Sequence, residues 1–230
     1  MNLAKKITSQ IFEGILAGLM ITIGCCVYLA CSKDGSIVGK VAGAVLFSVG
    51  LLAVCYFGFS LYTGRIGFII ANHTRDDVSA LLLGLLGNVI AAAVFGIAIG
   101  YAIPSLRDTA LAACNARLEQ QEWWQTLIRG IGCGILMYVA VGIFKEKKSP
   151  LGIIFAIPAF ILAGFEHSIA DMGYFAIAGS YSAKAFGFIW IVILGNSIGA
   201  WIIPALRLIK PKQAEQPVQE PPQQNEKTEQ

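Results

Sequence analysis

Charge is scarce in this chain of 230 residues. Asp, Glu, Lys and Arg supply only 13% of it, while 56% is hydrophobic and the mean hydropathy is +0.68. A soluble domain of this size carries nearly twice that charged share, so an ordinary water-soluble fold is excluded. Histidine is scarcer still, with two in the chain, and none of the six cysteines stands in Cys-x-x-Cys spacing. Those absences argue against a metal site, and no cofactor is expected. The cysteines (Cys25, Cys26, Cys31, Cys55, Cys114, Cys133) fall mostly in apolar runs, where a thiol packs as a small hydrophobe. Cys31 and Cys114 could face the same side, which leaves a disulfide between them open. The net charge of +3 is too small to point to a partner, and no nucleic acid is expected to bind.

Long uncharged runs take the place of charge. They cover Gly14 to Ser32, Val41 to Gly64, Val78 to Leu106, Gly130 to Phe144, Ser149 to Phe165 and Ala185 to Leu206. A bilayer core of about 30 Å needs about 20 residues of helix, so six membrane spans are expected, the fourth and fifth being the weakest. The first run exceeds the h-region of a cleaved signal and ends on a poor cleavage site, Ala-Cys-Ser, so it reads as a span. With the N-terminus inside, ten basic residues fall on inner segments, among them Lys5, Lys6, Arg65, Lys145, Lys147 and Lys148. Six fall outside: Lys33, Lys40, Arg107, Arg117, Arg129 and Lys184. That bias predicts an inner (plasma) membrane protein embedded in the lipid bilayer with both termini cytoplasmic. The spans form one domain over residues 1–210. Residues 211–230, rich in Gln, Glu and Pro, read as a disordered cytoplasmic tail.

The fifth apolar stretch is interrupted by Glu166, His167 and Asp171. Hydrocarbon penalises each ionisable side chain by about 3 kcal/mol or more, so three within six residues need a reason. A solute pathway, a proton relay or a bound counter-ion would supply one; a buried hydrogen-bonded lock between helices is the plainer alternative.

The chain also repeats itself. Leu86-Gly87-Asn88-Val89-Ile90 returns as Leu194-Gly195-Asn196-Ser197-Ile198 at an offset of 108 residues, which also pairs Phe57 with Phe165 and Thr63 with Asp171. Gly14 and Gly18 echo Gly130 and Gly134 at a slightly larger offset. A unit of three spans crosses an odd number of times, so its copies, about residues 10–105 and 126–208, must face opposite ways. In such folds, broken helices at matching places line the substrate path. Breaks are expected near Ser60 to Gly64 and near Glu166 to Ser168, where Gly, Ser and Thr weaken the helix or bond its freed backbone. The fold class is therefore an all-α membrane protein of two inverted three-helix repeats.

Gly164-Phe165-Glu166-His167-Ser168-Ile169-Ala170 followed by Asp171-Met172 resembles the central histidine motif of the formate/nitrite transporter family. Leu61-Tyr62-Thr63-Gly64 resembles that family's loop in the second helix, and the two Leu-Gly-Asn segments resemble its third and sixth helices. The resemblance spans about residues 10–208. It implies an aquaporin-like fold, a homopentamer with one pore per protomer, and passage of small monovalent anions or their conjugate acids, such as formate, nitrite, hydrosulfide, acetate or lactate. His167 matches the central histidine, Thr63 the threonine facing it, and Asn196 the sixth-helix asparagine. Phe47, Leu51, Leu61 and Phe160 match the apolar constrictions, although any one of them alone reads equally as core. The chain departs from the family pattern at Asp171 (usually asparagine), at Ser60 (usually acidic), and at Ser149 with Lys148 beside it (a lysine).

On a helical stretch Asp171 would share a face with His167; a carboxylate there favours the imidazolium, and burial opposes it. The expected mechanism is proton-assisted passage. An apolar ring rejects the bare anion, which gains a proton through His167 or its water network and crosses as the neutral acid. Glu166 would tune the histidine or hold the broken helix. Two other classes compare poorly. A neutral-solute channel of this architecture would carry paired Asn-Pro-Ala loops, and there are none. An intramembrane hydrolase would need Ser168 to face His167, which neighbours on one helix do not do.

Overall fold

The computed structural model describes residues 3–71 and 73–209; the predicted tail at 211–230 lies outside the described residues. Those residues form nine α-helices: α1 Leu3–Ser32, α2 Ile37–Phe57, α3 Tyr62–Arg65, α4 Arg75–Ala102, α5 Pro104–Gln120, α6 Trp123–Lys147, α7 Leu151–Leu162, α8 Ser168–Ala178 and α9 Ala183–Ile209. A 3-10 turn, Ile66–Ile70, follows α3. The starts are written locally. Ser36 Oγ accepts the Gly39 N–H at 3.0 Å to open α2, and Thr74 Oγ1 accepts the Asp77 N–H at 3.2 Å to open α4. Pro104 cannot continue α4, yet suits the first turn of α5.

Five helices are long and apolar enough to cross a membrane: α1, α2, α4, α6 and α9. The protein is thus a multi-pass membrane protein. The fifth expected span is divided into α7 and α8, with residues 163–167 between them. Large apolar side chains face outward, including Phe57 at 74% exposure and Phe155 at 72%, as lipid contact requires and water would oppose. All six cysteines are free thiols, so Cys31 and Cys114 are not bridged.

The helices pack as two similar sets. α1 lies against α4 and α6 against α9, the two most extensive contacts in the molecule. Glycine permits this closeness: a Cβ on Gly14 would strike the Gly84 carbonyl, and one on Gly130 would press on Gly195 and Val192. Hydrogen bonds then repeat from half to half. Asn88 Oδ1 accepts the Tyr62 N–H at 3.0 Å, and its Nδ2 donates to the carbonyls of Gly14 and Ser60 at 2.8 and 2.9 Å. Asn196 Oδ1 accepts the Ser168 N–H at 2.9 Å, and its Nδ2 donates to the carbonyls of Gly130 and Glu166, both at 2.9 Å. These are the same three bonds, made to the same kind of groups.

The bonds correct the repeat register. Gly58 (φ 77°) and Gly164 (φ 73°) both take the left-handed turn that ends α2 and α7. Phe59 N–H then bonds Val54 O at 3.0 Å, and Phe165 N–H bonds Phe160 O at 2.9 Å. The breaks therefore correspond at an offset of 106 residues, while the asparagines correspond at 108 and Gly14 with Gly130 at 116. Phe59, not Phe57, is the counterpart of Phe165, and Arg65, not Thr63, that of Asp171. A two-residue difference between each break and its asparagine displaces the pairs that one constant offset suggests.

Replacing Asn88 by Ala strands one N–H and two carbonyls, at about 1–3 kcal/mol for each buried group left unmade. Thermal unfolding in detergent should show Asn88→Ala melting well below the parent. An unchanged midpoint would mean that the asparagine does not clamp the break.

Candidate functional site

The break between α7 and α8 delivers His167 to the centre. His167 is the N-cap of α8, with extended backbone, and its Nδ1 accepts the Ala170 N–H at 3.1 Å. Leu61 caps α3 at the equivalent place with no side-chain bond. Thr63, in the first turn of α3, meets the histidine: Thr63 Oγ1 and His167 Nε2 are 2.8 Å apart. Both side chains are buried, at 2% and 3% exposure. Because Nδ1 accepts from the backbone, the neutral ring carries its proton on Nε2 and donates it to Thr63. Phe160 stacks on the imidazole with centroids 5.9 Å apart and planes at 17°.

Two cavities flank this centre. One, of about 340 Å³, borders α5 and is lined by Tyr28, Phe47, Arg117, Phe160, Glu166, His167 and Asp171, with Arg129 also on its wall. The other, of about 260 Å³, is lined by Phe59, Leu61, Gly64, Arg65, Phe144, Lys145 and Lys148. The repeat relates them: Val54, Gly58, Phe59, Leu61, Gly64 and Arg65 stand where Phe160, Gly164, Phe165, His167, Ala170 and Asp171 stand in the first. Their charges differ. The second wall carries three cations and no acid, with Lys145 Nζ 3.7 Å from the Phe68 ring centroid. The first carries two arginines and two carboxyl groups.

The expected site residues divide between these places. Phe47 and Phe160 line the α5-side cavity beside His167, and Leu61 lines the other. Leu51 is buried at 1% exposure and lines neither. Asn196 also lines neither. Both its amide protons are used on backbone carbonyls, so it positions the break and has no donor left for a solute. Ser168 donates its backbone N–H to Asn196, and both nitrogens of the neighbouring imidazole are engaged elsewhere.

Arg117 and Gln121 complete the site and were not among the expected residues. Arg117 Nε donates to Glu166 Oε2 at 3.0 Å and lies 3.5 Å from Asp171 Oδ1. Gln121 Nε2 donates to Glu166 Oε1 at 2.8 Å. The guanidinium also covers the Tyr174 ring at 5.1 Å, an attractive cation–π geometry. Asp171 therefore has Arg117 as its charged partner, while His167 is held by Thr63 and Ala170. Asp171 sits in the first turn of α8, where a carboxylate complements the helix dipole. The sequence held only a general hint: buried acids call for a cation, but α5 carries both Arg107 and Arg117 and only its packing selects Arg117.

A buried polar centre set between two cavities, in a multi-pass helical protein, marks a membrane transport protein as the class. The sequence profile of the formate/nitrite transporter family matches residues 1–209, and the chain belongs to that family. An uncharacterised transporter, YrhG of Bacillus subtilis (strain 168), is 28% identical over 214 residues, covering 84% of this chain and 78% of that protein. A probable formate transporter of Methanothermobacter thermautotrophicus is 29% identical over 202 residues, covering 74% and 73%. Among solved structures, a pentameric formate channel with formate bound superposes at a TM-score of 0.72 with 20% identity, covering 90% of this chain and 98% of that one.

Removing Arg117 leaves two buried carboxyl groups without their cation, which costs about 3–5 kcal/mol. Arg117→Met should lose much of its thermal stability in detergent at neutral pH. Acid should restore part of it, because protonation removes the unpaired charge. Equal losses at both pH values would contradict the ion-pair assignment.

Proposed function

We propose that this protein is a channel or transporter for small monovalent anions or their conjugate weak acids, formate, nitrite or hydrosulfide among them, with proton-assisted passage at His167. The observation that carries the reading is the Thr63–His167 hydrogen bond, set between two cavities and flanked by Phe47, Phe160 and Leu61. An anion entering either cavity meets cations, yet apolar side chains bar it from crossing with its charge. A proton gained at the centre removes that barrier. The neutral acid then passes the ring, guided by the Nε2–H and hydroxyl of the polar pair, and releases its proton beyond.

The assembly we propose is a homopentamer with one pore per protomer, in the inner (plasma) membrane, with both termini cytoplasmic. α7 and α8 together make the fifth of six spans, α2 and α3 the second, and residues 10–105 and 126–208 the two inverted repeats. The matched hydrogen bonds of Asn88 and Asn196 support that pairing. Phe47, Leu61 and Phe160 form the constrictions, Thr63 and His167 the pore centre held in place by Asn196, and Glu166 and Asp171 complete the proton relay. On this orientation the cavity with Arg65, Lys145 and Lys148 opens to the cytoplasm.

Proteoliposomes test it. Labelled formate, nitrite or hydrosulfide should enter, and ammonium and glycerol should not; uptake of glycerol alone contradicts the reading. His167→Asn keeps a polar group but cannot titrate near neutral pH. Its uptake should lose the parent's pH dependence while the assembly keeps its size on a gel-filtration column. A parental pH profile would remove His167 from the mechanism.

A further inference from the structure

The α5-side cavity holds a carboxyl group whose hydrogen bonding is incomplete. Asp171 is 1% exposed, and its Oδ2 has no hydrogen-bond partner among the described residues. Its Oδ1 lies 3.5 Å from Arg117 Nε, and its carboxyl group neighbours that of Glu166. Glu166, by contrast, is satisfied at both oxygens, by Arg117 and Gln121. One guanidinium thus serves two carboxyl groups, and Glu166 takes the better share of it.

The other half shows what this position can reach. Arg65 stands where Asp171 stands, and Ser60 where Glu166 stands. Arg65 Nη1 donates to Ser60 Oγ at 2.9 Å, so residues so placed interact through their side chains. At the α5 side both members are acceptors. Two carboxylates cannot satisfy each other, but a carboxylic acid and a carboxylate can. The remaining surroundings do not supply the missing charge. Cys25 and Tyr28 on α1, Cys114 on α5, Cys133 on α6 and Tyr174 on α8 are thiols and phenols, uncharged near neutral pH. Arg129 on α6 shares the cavity wall but makes no ion pair among the described residues. His167 faces Thr63 and Ala170.

We propose that Asp171 is the proton donor of the α5-side cavity, holding an exchangeable proton on its carboxyl group and handing it to the anion that arrives there. This rests on the transport reading above and adds to it a donor on the α5 side that acts on the anion before it reaches His167. The step balances. The O–H bond of the Asp171 acid breaks, a new bond forms between that proton and the anion, and the negative charge moves from the solute to Asp171 beside Arg117. The neutral acid departs past Phe47 and Phe160, and a proton from the bulk medium, passed along water in the cavity, restores the acid on Asp171. A positioned acid serves best when it still holds its proton at the working pH and can release it to the solute, and a carboxyl group set beside Arg117 is stabilised once the proton has left. His167, with its Nδ1 on the Ala170 N–H and its Nε2 on Thr63, meets the solute next, at the ring.

Formate uptake by proteoliposomes across external pH tests this, comparing the parent with Asp171→Asn and Asp171→Glu. Asn keeps the shape and cannot donate an acidic proton; Glu keeps the acid. Near neutral and alkaline pH, Asp171→Asn should lose about tenfold or more of the flux. It should converge on the parent in acid, where the medium supplies the proton, and Asp171→Glu should follow the parent's profile. A parent that transports beside an Asp171→Asn profile unchanged to within about twofold overturns the donor assignment alone. A parent that carries no weak acid overturns the transport reading, and the donor with it. If Asp171→Asn does not assemble, infrared difference spectra of the parent decide. A carbonyl band of a protonated, buried carboxylic acid at neutral pH, shifting in heavy water, supports the proposal, and its absence refutes it.

Discussion

Backbone groups freed inside a membrane must find partners, and this fold depends on how that demand is met. A helix that stops inside the packed protein exposes buried N–H and carbonyl groups that must be bonded. Asn88 and Asn196 meet the demand with one side chain each, accepting one N–H and donating to two carbonyls. Because each asparagine ties a break to both a neighbouring helix and the loop itself, it fixes where the next short helix begins. That start is where Leu61 and His167 sit. The position of the histidine is thus a consequence of satisfying the backbone, and the Thr63–His167 contact follows from the two breaks meeting.

The same logic separates residues that border a cavity from residues that hold them. His167, Phe47 and Phe160 border a cavity. Asn196 acts one step back, with its hydrogen-bonding capacity used up on the chain. Glu166 is likewise occupied, its carboxylate between Arg117 and Gln121 and its carbonyl on Asn196. The two halves begin from one plan and diverge in chemistry. Leu61 and Arg65 on one side become His167 and Asp171 on the other, so one vestibule is cationic and the other near balance.

Much of this was legible in the sequence. Apolar run lengths located the long helices, because burial in lipid demands length, but missed the polar first turns that extend α1 and α6 beyond the uncharged runs. The second and fifth runs were divided, at the places where Gly, Ser and Thr or ionisable residues interrupt them. The Gly-Asn repeat was visible because both residues have fixed roles, close approach and backbone bonding. Its register at the breaks was not, since apolar side chains carry little positional information and two residues of slack leave no mark. Asp171 stood out as an anomaly, but its partner did not. Arg117 lies 54 positions earlier, on the polar helix α5, and only the packing of α5 over the cavity joins them. The tautomer of His167 was beyond the sequence too, since it depends on a cap that exists only once the helix has been interrupted.

The central claim is that the species crossing the apolar ring is neutral. Uptake of labelled formate into proteoliposomes, with the membrane potential clamped by a potassium gradient and valinomycin, tests it most directly. A neutral acid does no work against the field, so the initial rate should be the same at positive, zero and negative potential, with one proton entering for each formate. A rate that rises and falls with the potential, as about 2.3 kcal/mol per charge per 100 mV would enforce on a bare anion, would contradict the account.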